Sequence, residues 1–441
     1  MDRLRHRDVR GVKAELRRGA NPNRLDYRGQ PPLFEAAYRG LGMVQMLIAA
    51  GANPGVQDSY GNTLLHEAAG DPQIVAFLLK HGFNPNARNQ DKNTPLIIAA
   101  EYGSLESSRL LLNAGANVQA IDINDNTALT RAIPTNNVAL VRLLEHNGAS
   151  FQGLEEFAVS SAAHSSSTEM LRYLANRKFS FNVVDEEGKP PLIGCIMSND
   201  AMEQGEDADT AIVPTIQALI DGGADVNARD REFKMTPLHW AASGGQDAIL
   251  AALLKGGANP NLRDDMGELP LENALSDLRF DRPTTQRIIE SLLAAGTRVE
   301  TRNPRDHRTL LMKLAAHNQL GFLKHLPLKP TTINLQGKEG ETALMVASEA
   351  GAADSVRWLL NQGVDPTLRD NRGRTARDYL TLSPGPITAW FLGPMGSNSK
   401  ARQEMADAEA KALAKNHAEI KKLLEAHQTS AITPKIAPVL P

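Results

Sequence analysis

Thr236-Pro237-Leu238-His239-Trp240-Ala241-Ala242 opens a segment that closes at Gly256-Gly257-Ala258-Asn259, and its chemistry reads as two helices joined by a turn. Thr236 offers a capping hydroxyl, and Pro237 loses no needed hydrogen bond in a first helical turn. Leu238, Ala241 and Ala242 make a narrow apolar face whose alanines let a second helix approach closely. Gly244-Gly245 break the first helix. Ile249, Leu250, Leu253 and Leu254 then give the second an apolar stripe at helical spacing. Gly257 supplies the left-handed geometry that ends a helix at little cost.

The same phrases return along the chain. TLLHEAA starts at Thr63, TPLIIAA at Thr94 and TALMVAS at Thr342. The closing phrase recurs at Gly19, Gly51, Gly82, Gly115 and Gly148, at intervals of 32, 31, 33 and 33 residues, and the step from Gly223 to Gly257 is 34. Segments rich in Asn, Asp and Gly link one closing glycine to the next opening threonine and read as extended excursions with a tight turn. Such a unit cannot bury its apolar faces alone, whereas stacked copies can.

T-P-L-H-x-A-A is near-complete at Thr236–Ala242 and recognisable at Thr63–Ala69 and Thr94–Ala100, and over residues 1–380 the chain resembles the ankyrin repeat family. The resemblance implies an all-α ankyrin-repeat α-solenoid, each repeat a helix-turn-helix plus a β-hairpin turn, with about ten repeats and divergent caps. The expected organisation is a capping partial repeat at 1–25, repeats at 26–152, a degenerate repeat at 153–184 and repeats at 185–369. A divergent cap at 370–428, with a Gly/Pro-bounded Trp390-Phe391 loop, precedes a disordered tail at 429–441. Insertions fall at 198–213, read as an acidic loop, and at 277–283.

Composition narrows the function. A net charge of −3 over 441 residues argues against nucleic acid as a partner, and the lone Cys195 excludes a disulfide framework. Cys195 lies in the apolar run Pro191–Ile196 and reads as a core residue. No apolar stretch approaches a membrane span, so a cytoplasmic monomer is expected; secretion into a host cell, or export through a removed upstream signal, is the alternative. Residues 1–42 are basic, with ten Arg and Lys against five acids.

Catalysis finds no support. His66 and His239 each stand three residues after a threonine, where imidazole can bond the hydroxyl and nearby backbone, and neither has the spacing of a zinc protease. No phosphate loop or nucleophile elbow occurs, and no metal or cofactor is expected. A cryptic enzymatic site in 153–229 or 383–441 is the competing reading.

The resemblance implies that hairpin turns and first helices line a concave protein-binding groove. Positions there that the fold does not need are Tyr27, Arg28, Tyr38, Arg39, Tyr60, Asn62, Lys92, Tyr102, Phe233, Lys234 and Trp240. They include four of the six tyrosines, and Tyr, Trp and Arg dominate interface energetics. A non-enzymatic scaffold for a partner with an acidic and apolar surface is expected; an effector or immunity-type inhibitor that blocks another protein's active surface is the alternative.

Overall fold

The computed structural model describes residues 9–26, 29–198, 206–275, 283–329, 332–381 and 399–432. Its regular structure is helical, with no strand among the described residues. Two compact units result: Met1–Glu232 with Ala248–Ala258, and Phe233–Asp247 with Asn259–Pro441.

Helices in the first unit come in pairs: Pro32–Ala37 with Leu41–Ala49, Leu64–Glu67 with Pro72–Lys80, Pro95–Glu101 with Leu105–Asn113, and Ala128–Ala132 with Val138–His146. Each of these first helices packs on the next first helix, and each second helix on the next second helix. The motif residues make the core. Leu64, Leu65, Ala69, Leu96, Ala99 and Ala100 are wholly buried, as are Ile74, Val75 and Leu78 behind them. Each buried leucine contributes about 1.5–3 kcal/mol, and the small alanines between them permit the close approach.

A side-chain ladder explains the closing phrase. The polar residue just beyond it reaches into the next repeat: Asn23 Nδ2 donates to the Gly51 carbonyl at 3.0 Å, and Asn23 Oδ1 accepts from the Asn53 amide. Asn86 does the same with Gly115 and Asn117, and Asn182 with Gly223 and Asp225. In the second unit Asn261 repeats it with Gly296 and Arg298. Backbone groups freed at each helix end are thereby satisfied by the neighbouring repeat.

The imidazoles form a second tie. His66 Nδ1 lies 2.8 Å from Thr63 Oγ1 and accepts from the Thr63 amide, while Nε2 lies 3.0 Å from the Asn93 carbonyl. An amide only donates and a carbonyl only accepts, so these contacts select the neutral ring with its proton on Nε2. His239 repeats the pattern with Thr236 and the Glu268 carbonyl.

The excursions are reverse turns rather than hairpin strands. Asp58 Oδ1 accepts from the amides of Tyr60 and Asn62, and the Asp58 amide bonds the Asn62 carbonyl. Neighbouring turns are joined by one backbone bond, Gln90 to Tyr60 and Ile123 to Asp91. A single bond per pair is too little for a strand ladder.

Residues 153–184 hold the helices Glu155–His164 and Thr168–Asn176. Lys178, at φ 60°, takes the left-handed closing position that glycine holds elsewhere. Of the stretch read as an acidic loop, 199–205 lie outside the described residues and 206–213 instead begin the helix Glu206–Asp221.

In the second unit, Pro237–Ser243 packs on Pro270–Ala274, and Leu310–Ala316 on Ala343–Glu349, which packs in turn on Ala376–Tyr379. The long helix Ser399–Ile432 lies on Ala353–Asn361. Its Ile420 and Leu424 are buried, while Lys411, Lys415, Lys421 and Lys422 face solvent. Asn416 donates to the Gly351 carbonyl at 3.0 Å, and Glu419 and Glu425 pair with Arg357 and Arg377. The helix runs to Ile432, so the first residues of the expected disordered tail, 429–432, are helical. Trp390-Phe391 lies outside the described residues.

Candidate protein-binding surface

The structure separates the expected surface residues by what holds them. Tyr38, Tyr60 and Tyr102 are 65%, 63% and 65% exposed. Tyr38 and Tyr102 follow directly on the first helices Pro32–Ala37 and Pro95–Glu101, and Tyr60 sits on a turn tip. Arg39 is engaged: its guanidinium donates to Glu35 Oε1 at 2.7 and 3.1 Å. Asn62 is structural, bonding Asp58 Oδ2 through Nδ2 and accepting from Asn89 Nδ2 at 2.8 Å. Lys92 is exposed on its tip. Tyr27 and Arg28 lie outside the described residues.

In the second unit Phe233, 42% exposed, meets the half-buried Trp240 edge to face at 6.4 Å between ring centroids. Lys234 beside it has φ 56°. Trp240 is thus partly committed to packing, leaving Phe233 as the outward ring of the pair.

Sequence reading passed over Glu67. It is half-buried at the end of Leu64–Glu67, one repeat on from Tyr38. The Glu67 carboxylate, with burial, pushes the Tyr38 phenol well above its usual value. Burial raises the Glu67 carboxyl too, as do the charges of Asp58 and Glu35, against the lowering influence of the phenol. The signal was a shortening: two residues fewer separate Thr63 from Gly82 than Thr94 from Gly115. Gly70 stands in the gap, and the Tyr102 ring passes 3.3 Å from where a Cβ on Gly70 would be.

The residues weighed for chemistry are held out of reach. Cys195 is fully buried and burial pushes its thiol up to about 12, so it carries almost no thiolate near neutrality. His66 and His239 have both ring nitrogens engaged in the fold. No group of three or more His, Cys, Asp or Glu among the described residues is placed to hold a metal, and none of the described helices is long and apolar enough to cross a membrane.

Stacked helix pairs tied by side-chain ladders, presenting a fixed row of turns and helix ends, define a repeat protein built for surface recognition. The chain belongs to the ankyrin repeat family: family models described as ankyrin repeats match residues 5–89, 70–153, 208–303 and 330–380. It is 24% identical over 383 residues to the E3 ubiquitin-protein ligase KEG of Arabidopsis thaliana, a match covering 81% of this chain and 20% of that protein. Mouse NF-kappa-B inhibitor zeta is 28% identical over 189 residues, 35% of this chain and 26% of its own length. The chain therefore spans about a fifth to a quarter of these curated relatives. The crystal structure of the human ASB11 ankyrin repeat domain aligns at TM-score 0.43 and 23% identity, covering 53% of this chain and 98% of that one. Ankyrin repeats are protein–protein interaction modules and generally not enzymes.

Proposed function

We propose that the chain is a non-enzymatic scaffold that holds a partner protein against the turn tips and first-helix ends of residues 29–102. The observation that carries this reading is the exposure of Tyr38, Tyr60 and Tyr102 on backbone tied between repeats. Large rings are costly to leave in water, and on a preformed surface they bind with little loss of ordering entropy. Because Arg39 is neutralised by Glu35, the aromatic residues carry more of this proposal than the basic ones, which shifts the expected partner from an acidic surface toward an apolar one.

Affinity purification from the native source, with quantitative mass spectrometry, tests it. The triple variant Tyr38→Ala, Tyr60→Ala, Tyr102→Ala should lose the principal partner by about tenfold or more, since each anchor of this kind is worth upwards of about 1 kcal/mol, while its Tm stays within a few degrees. Undiminished capture by the folded triple variant would sink the proposal.

A further inference from the structure

A groove on the second helices has a different chemistry from the turn tips. Val138–His146 and Thr168–Asn176 are the second helices of neighbouring repeats, and an open groove of about 490 Å³ lies between them. Arg142 lines one wall, and Glu169, Arg172, Tyr173 and Asn176 line the other. The walls are tied toward both ends. Ser167 Oγ donates to the Pro134 carbonyl at 3.0 Å, and the Met170 amide to Asn136 Oδ1 at 3.1 Å. Further along, Glu145 accepts the Tyr173 hydroxyl on Oε2 and the Arg177 guanidinium on Oε1 at 2.7 Å. The groove is therefore formed before any ligand arrives, which spares the ordering cost of binding.

Its charges do not cancel. Arg177 answers Glu145, and Arg172 answers Glu169 at 2.7 Å. Arg142 has no ion pair or hydrogen bond among the described residues; its guanidinium carbon instead lies 5.1 Å from the centroid of the buried Tyr173 ring. Stacking of this kind positions a guanidinium without using its N–H groups, so Arg142 keeps its whole fork of donors for a planar anion. Arg172, on the facing wall, gives Glu169 a single hydrogen bond and belongs to an exposed pair, which contributes little and leaves it able to turn toward a ligand.

We propose that this groove receives an acidic side chain of a partner protein, its carboxylate bound by Arg142 and flanked by Arg172. One uncompensated positive charge matches one carboxylate, whereas the second charge of a phosphate would be left facing Glu169. Arg142, Glu169, Arg172 and Asn176 are all exposed, so a free small molecule would stay largely in water, while a side chain carried in on a bound segment needs no enclosure. The site shares no residue with the tyrosine surface proposed above and does not depend on it.

The test selects a random dodecapeptide display library on the full chain, with Arg142→Ala as the counter-target, and resynthesises the enriched peptides. The proposal expects Asp or Glu at one fixed position. Replacing it by Asn or Gln, or Arg142→Ala in the protein, should each weaken binding by about tenfold or more, and the two together little further, as a shared interaction requires. No peptide that discriminates the two targets, or peptides that tolerate the amide, would overturn the inference; so would displacement by inorganic phosphate as readily as by glutarate. If Arg142→Ala fails to fold, as judged by circular dichroism, selection on the natural chain alone and the amide peptide decide, since neither alters the protein. The Tyr38, Tyr60, Tyr102 triple variant should bind these peptides undiminished, so the two proposals fail separately.

Discussion

His66→Ala should cost stability in a pH-dependent way. The ring is 1% exposed and serves two repeats, accepting from the Thr63 amide and donating to the Asn93 carbonyl. Truncation leaves the Thr63 amide without its partner at about 1–3 kcal/mol, while the Asn93 carbonyl keeps the Asn89 amide, and the lost ring packing adds to this, giving a total of about 2–5 kcal/mol. Burial holds the folded His66 below its ordinary value of 6.5. The unfolded chain therefore takes up the proton first, and this residue's contribution is present above about pH 6.5 and is lost as pH falls. Between about pH 7.5 and 5.5 the natural protein loses at most about 1.4 kcal/mol through this group, and the alanine variant loses none of it, so the gap between them should narrow in acid. Urea unfolding followed by circular dichroism at both pH values measures this, with amide exchange over residues 58–100 to localise it. A loss below about 1 kcal/mol, or a gap that widens in acid, would refute the assignment of a buried neutral imidazole bridging two repeats.

Other positions give contrasting outcomes. Gly222→Ala would place a Cβ 2.7 Å from the Phe181 ring, itself buried, and should destabilise by about 1–3 kcal/mol, whereas Gly42→Ala meets no atom within 4 Å at an exposed position of the helix Leu41–Ala49 and should stabilise by up to about 1 kcal/mol; thermal melts distinguish the two. Lys92, at φ 58°, occupies the turn position that Gly61 holds at φ 76° one repeat earlier, so Lys92→Gly should raise stability by about 1 kcal/mol; unchanged or lower stability in denaturant titration would show that the lysine is not strained. The Cys195 thiol should stay silent to a disulfide reagent in the native protein near neutral pH and react only on unfolding; prompt native labelling would contradict its burial.

The fold was legible because its signals are local and repeated. Thr94 accepts from the Ile97 amide, and Gly51 closes its helix at φ 88°, both as the residue types require. The link from His66 and His239 to their threonines was also readable from the spacing of three. Their second bond, to a carbonyl one repeat away, was not, because it depends on how repeats stack. The same holds at the surface. Tyr38 and Tyr102 were visible as aromatic residues that the motif does not need, but Glu67 looked like any helix-surface acid. Only the structure shows that no ion pair meets it among the described residues, and that Arg39, promising in sequence, is already engaged by Glu35. Lys178 marks a further limit: a left-handed lysine can close a helix where the pattern asks for glycine.

A row of like units is a one-dimensional crystal, in which any terminal face that accepts one more unit can equally accept another molecule's end. Ser399–Ile432 breaks that translational symmetry, meeting Ala353–Asn361 with Ile420 and Leu424 and turning lysines to the far side. Over its described residues the outer face offers Lys411, Lys415, Lys421 and Lys422 where a further repeat would need an apolar stripe. The helix thus covers Ala353–Asn361 and gives that side of the stack a charged rather than an apolar surface.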